Sequence, residues 1–82
     1  MKGIMRLSGL APHAAARVVR IEEGGIKARL MGIGLTEGAE VVRLFSAPGG
    51  DPTAYSVRGT TVALRKKDAE RVLVSSWEGV WD

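Results

Sequence analysis

No cysteine occurs in the chain. A disulfide scaffold, thiol redox chemistry, zinc fingers and cysteine-ligated iron–sulfur clusters are thereby excluded. Aromatic residues make up only 5% of the total, so aliphatic side chains must fill the core. No stretch approaches the roughly 20 apolar residues that a membrane helix needs. Met1 to Leu10 lacks the apolar run of a signal peptide. The expectation is a cytoplasmic protein that reaches the inner face of a membrane only by recruitment to a partner. The single histidine is His13. Ferrous sites combine imidazoles with carboxylates, often two His and one carboxylate. One such chain cannot supply that set, and no metal or other cofactor is expected.

Catalytic equipment is equally sparse. A nucleophile needs a base within reach and a third group to orient it. Ser8 near His13 is the one local Ser/His pairing, and nothing marks it. Gly32-Ile33-Gly34 lacks the rest of a dinucleotide fingerprint, and no Gly-Lys-Ser/Thr phosphate loop is present. The chain reads as non-enzymatic, with no catalytic residue.

What is present suits one domain. Eighty-two residues, 45% of them apolar, bury about 60–65% of the unfolded surface. The net charge of +3 is ordinary for a soluble domain and also favours an acidic partner. Ala14–Ile21 reads as a first strand; the adjacent Val18 and Val19 break its alternation, which a bulge or a twist would explain. Glu22 to Gly25 is a turn, with Glu22 and Glu23 a solvated pair. Ile26, Leu30 and Ile33 fall at i, i+4 and i+7 and predict a helix over 26–33 with those three on its buried face. Gly34 then occupies the left-handed position of a Schellman stop, and Leu35 can pack back on Leu30. Gly38 permits the next turn. Glu40–Phe45, Ala54–Val57, Thr61–Leu64 and Val72–Val74 are further strands. Gly50, Asp51 and Pro52 belong to a reversing loop in which Asp51 can bond its own backbone. Arg58-Gly59-Thr60 is short enough for a hairpin, and 66–71 can form a single helical turn. Leu7 to Pro12 is a lead-in. About five short strands around an aliphatic core predict a mainly β protein closed into a small barrel over residues 1–74, followed by a tail at 75–82.

Three segments in order resemble the FeoA family, the small cytosolic component of bacterial ferrous-iron transport. They are Arg29-Leu30-Met31-Gly32-Ile33-Gly34-Leu35-Thr36-Glu37-Gly38, Pro48-Gly49-Gly50-Asp51-Pro52, and Val62-Ala63-Leu64-Arg65 with Asp68-Ala69 and Val72-Leu73-Val74. The resemblance implies an SH3-like barrel that supports the membrane GTPase permease FeoB by contacting its cytoplasmic part. The same fold forms a C-terminal domain in iron-dependent repressors, so fold alone does not settle function. Glu37 departs from the proline that the family often carries, and the tail with its two tryptophans lies outside the pattern. The matching glycines, Asp51 and Pro52 have folding roles, so the motif identifies a family without marking an active site.

Candidate partner-binding residues are Arg29 and Met31 on the helix, Lys66 and Lys67, and Trp77 and Trp81 in the tail. Met31 has two readings, a core residue or an exposed adaptable apolar contact. The lysines belong to a cluster with Arg65 that serves either as a solvated face or as a dock for an acidic partner. The tryptophans fold over the barrel, enter a partner or a second copy of the chain, or belong to a loose tail. A self-associating module is therefore one alternative function. A nucleic-acid-binding or regulatory barrel is another, although the basic residues form no continuous stripe with interleaved aromatics.

Overall fold

The computed structural model describes residues 3–76. Trp77 and Trp81, and with them most of the tail, lie outside the described residues. Nine elements follow one another: β1 (Gly3–Arg6), a 3₁₀ turn (Leu7–Gly9), β2 (Ala15–Ile21), α1 (Lys27–Gly32), β3 (Glu40–Ser46), β4 (Thr53–Val57), β5 (Thr60–Leu64), α2 (Lys66–Ala69) and β6 (Val72–Ser76). The strands form one antiparallel sheet in the order β1-β6-β2-β3-β4-β5. Five inter-strand spacings would span about 24 Å if the sheet were flat. Met5 at one end of that order and Val62 and Leu64 at the other nevertheless pack on the same core cluster, so the sheet curls round its own interior.

Six strands are present where about five were expected. The missed one is β1, an edge strand in which only Met5 is even half-buried. With one inward side chain it has no apolar alternation to detect; its pairing with β6 defines it, from Gly3 opposite Ser76 to Arg6 opposite Leu73. The lead-in is also more than a lead-in. Leu7 and Leu10 are fully buried, and the 3₁₀ turn folds that segment into the core. β6 continues two residues past Val74, through Ser75 and Ser76, both buried despite being polar. Backbone pairing extends this strand beyond its apolar residues.

The expected irregularity in the first strand is real: the β2–β6 register shifts between Val18 and Arg20. The hairpin between β4 and β5 is a two-residue turn with Arg58 at φ 52° and Gly59 at φ 85°, the positive angles that match strand twist. Asp51 differs from expectation in its partner. Its Oδ1 accepts the backbone N–H of Lys66 at 2.9 Å, tying the Gly49–Gly50 loop to the start of α2. The Asp51–Pro52 bond is cis.

The helix ends as the sequence predicts. The Leu35 N–H bonds to the Leu30 carbonyl and the Gly34 N–H to the Met31 carbonyl, the paired bonds of a Schellman stop, with Gly34 at φ 108°. Leu30 and Leu35 are both buried. Ile33 is not the core residue that helical spacing placed inward; it is 36% exposed. The helix proper stops at Gly32, Ile33 is its C-cap, and Leu35 takes the inward place instead. α2 is likewise shorter than 66–71, ending at Ala69.

Glu22 is no solvated carboxylate. Its side chain lies 3.1 Å from Arg6 and 3.6 Å from Arg71, linking the ends of β1 and β2 to the start of β6. Glu23, by contrast, is exposed and pairs with Lys27 at 2.6 Å. Hydrogen bonding from Arg6, reinforced by the Arg6 and Arg71 charges, holds the Glu22 carboxyl below the usual carboxylate range against the opposing effect of desolvation.

Two stability measurements follow. Gly34→Ala places a Cβ 3.2 Å from Val57 Cγ1 in a positive-φ conformation, whereas the same change at Gly38, φ 84°, meets nothing within 4 Å. Both variants should lose about 1–2 kcal/mol from the backbone conformation, with Gly34→Ala losing more. Urea unfolding midpoints would check this, and equal losses would show that the Val57 contact contributes nothing. For Glu22→Gln the sign follows from the lowered folded-state pKa. The ion pairs stabilise fully above the unfolded-state value and are lost as pH falls through the folded one. Wild type should therefore exceed the variant at neutral pH, with the gap closing below the usual carboxylate range. A gap that does not change with pH would remove charge as its cause.

Candidate functional site

The early stop of α1 leaves a groove between that helix, the end of β5 and α2. Its volume is about 510 Å³. Ile26, Leu30, Ile33 and Leu64 supply apolar surface, and Arg29, Arg65, Lys67 and Asp68 supply the charged groups. Ile33 lines the groove because the Schellman turn swings it out of the core. Arg29 is held toward α2 by Asp68, with Nη2 to Oδ2 at 3.7 Å. That pair is weak, because Arg29 is 74% exposed and exposed pairs contribute about 0–1 kcal/mol. Three cations face one carboxylate, so the groove has a positive rim over an apolar floor. Such an arrangement suits a partner segment that carries apolar and acidic side chains together.

The structure divides the residues singled out from the sequence. Arg29 and Lys67 share this groove. Met31 is 44% exposed, which settles its two readings in favour of the surface; it sits on a different flank of α1, in a smaller depression with Val18, Val19 and Leu35. Lys66 does not line the groove with its neighbour Lys67 but a separate cavity, with Ser8, Arg43 and Tyr55. Two groups escaped the sequence reading. Asp68 orients Arg29 across the groove. Arg43 lies in an otherwise apolar strand segment, Val41-Val42-Arg43-Leu44-Phe45, and that charge among hydrophobes was its available signal.

His13 is an exposed loop residue with φ 68°. Among the described residues, no three His, Asp or Glu side chains cluster in a way that could hold a metal ion. No described helix is long and apolar enough to cross a membrane. Ile4 and Phe45 are exposed apolar residues, but neither lines the groove.

Comparison with known proteins agrees with this architecture. The FeoA domain family matches residues 5–76. The Fe(2+) transport protein A/Fe(2+) transporter FeoB fusion protein of Porphyromonas gingivalis is 34% identical over 71 residues, 85% of this chain. The matched region is only 8% of that relative's length. The FeoA-like protein of Clostridium acetobutylicum superposes with a TM-score of 0.88 at 28% identity, covering 100% of this chain and 96% of that one. Stenotrophomonas maltophilia FeoA in complex with zinc, described as a procaryotic SH3 domain protein, gives 0.77 at 36% identity over 85% of this chain and 88% of its own. IdeR of T. acidophilum gives 0.77 at 24% identity, covering 90% of this chain and 34% of that one. At that identity the likeness is one of fold alone. With the family pattern running through nearly every described residue, and with the same barrel in its relatives, this chain belongs to the FeoA family.

Proposed function

We propose that this protein is a non-enzymatic accessory component of ferrous-iron uptake. It works in the cytoplasm by binding the GTPase region of an FeoB-type permease through the groove between α1, β5 and α2. The observation that carries this reading is the Porphyromonas gingivalis relative, in which a domain like this one is fused to the transporter. Fusion makes an encounter between two modules intramolecular and raises their effective concentration, an arrangement that favours modules working on each other. The groove supports the reading with exposed apolar surface at Ile26 and Ile33 beneath the cations Arg29, Arg65 and Lys67. Binding there would act by favouring one conformation of the GTPase over another, to the extent that the two conformations differ in affinity.

Calorimetric titration of the protein into the purified cytoplasmic GTPase region of the permease from the same organism tests the proposal. Arg29→Glu combined with Lys67→Glu reverses two rim charges. The pair should weaken binding by about tenfold, mostly through a slower on-rate, without lowering the unfolding midpoint. Met31→Ala, on the other flank of α1, should bind as wild type. Wild-type affinity in the double variant would remove the groove as the contact surface. Absence of binding by the wild-type protein would remove the GTPase region as the partner.

A further inference from the structure

A second cavity, on the other side of α2 from the groove, is chemically unlike it. It measures about 160 Å³ and is lined by Ser8, Arg43, Gly50, Thr53, Tyr55 and Lys66. That is well below the roughly 300–1,000 Å³ of pockets for drug-sized ligands, so its occupant is small. Every side chain in its lining carries a hydrogen-bond donor, and two of them are cationic.

One group there is buried and unsatisfied: Arg43 Nε has no hydrogen-bond partner among the described residues. Tyr55, 2% exposed overall, also lines the cavity. Arg43 is cross-strand from Tyr55 in the β3–β4 register, so both side chains leave the same face of the sheet. Its guanidinium is held on its other two nitrogens: Nη1 donates to the Leu10 carbonyl at 2.7 Å and Nη2 to Ser46 Oγ at 3.2 Å. Neither acceptor is charged, and no carboxylate lies within ion-pair distance of Arg43 among the described residues. Lys66 is exposed and adds a second positive charge at the cavity lining. Burying an uncompensated charge is costly, and a buried donor left unpaired costs about 1–3 kcal/mol. A neutral molecule could satisfy the donors, but only an anion also compensates the charge.

We propose that this cavity binds a phosphate-like oxyanion, held by Arg43 and Lys66 as charges and by Tyr55, Thr53 and Ser8 as hydroxyl donors. The donors come from β3, α2, β4 and the 3₁₀ turn, so they converge on a centre from several directions. That geometry fits a tetrahedral anion better than a planar carboxylate, which one arginine can satisfy alone. Ser46 prepares Thr53 for the task. Ser46 Oγ accepts from Arg43 and lies 2.7 Å from Thr53 Oγ1; when Ser46 is the donor of that bond, the Thr53 O–H is free for the cavity. Burial raises the Tyr55 phenol above its ordinary value despite the opposing Arg43 charge, which keeps it protonated and able to donate. Asp51, on the loop that walls the cavity, has its Oδ1 engaged by the backbone N–H of Lys66 at the start of α2, and its charge adds to the upward shift of the Tyr55 phenol. A bound anion would brace the Gly49–Gly50 loop against that helix.

Sodium phosphate is the probe, titrated into the full chain with sodium chloride and sodium acetate at matched ionic strength as references. Thermal unfolding and amide chemical shifts are the readouts. Phosphate should raise the unfolding temperature saturably, with shifts centred on Ser8, Gly50, Thr53, Tyr55 and Lys66. Tyr55→Phe keeps the buried ring and removes only the donor; it should weaken phosphate binding by about tenfold. Lys66→Gln is a surface change and should weaken it severalfold. Unliganded unfolding temperatures of the two variants show that they are folded. An equal response to chloride or acetate overturns the proposal. So does phosphate binding of wild-type strength in both folded variants, or shifts centred away from the cavity.

Discussion

The reversal of the chain at Gly34 is the constraint on which the rest of this structure leans. Two backbone hydrogen bonds end α1 after six residues. They send Leu35 into the core beside Leu30, and they turn Ile33 outward. The same turn is clasped from across the barrel: Arg58 Nη2 donates to Thr36 Oγ1 at 2.7 Å and its Nε to the Gly34 carbonyl at 3.3 Å. Arg58 itself occupies the positive-φ hairpin between β4 and β5. Two tight turns, 24 residues apart in sequence, therefore fix each other.

Two basic surfaces result, and α2 separates them. Successive residues on that short helix point in different directions, so Lys66 and Lys67 belong to different environments although they adjoin in sequence. One environment is a wide groove with an apolar floor, the other a small cavity rich in donors. A patch of charge counted along the sequence would merge the two, which differ in shape, depth and the kind of molecule each could hold.

Much of the barrel was legible from residue order. The Schellman stop, the bulge near Val18, the hairpin at Arg58-Gly59 and the positive φ at Gly38 are local events, and local chemistry dictates them. What could not be read was set by distant partners. β1 exists because β6 pairs with it, and Ser75 and Ser76 are strand because β1 and β2 flank them. Ile33 fits the apolar face of an ideal helix, and only the geometry of the stop moves it outward. The site residues follow the same division. Arg29 and Lys67 could be named as exposed cations, but their convergence depends on α1 and α2 meeting across β5. Arg43 and Tyr55 face each other through a strand register that no single segment reveals.

The pairing of Gly3 with Ser76 and of Arg6 with Leu73 has a consequence for biogenesis. β6 lies between β1 and β2 in the sheet, so β1 and β2 have no direct ladder to each other and both await a strand some fifty residues or more further along the chain. Contacts of such sequence separation form slowly, because loop closure must precede the stabilisation they bring. On the ribosome, the hairpin of β4 and β5 can form while β1 and one side of β2 still present open backbone edges. Only once residue 76 has left the exit tunnel can those edges be covered. β1 is thus made well before its partner and is among the last of these strands to be secured, leaving an interval in which chaperones, or another chain's strand, can engage it.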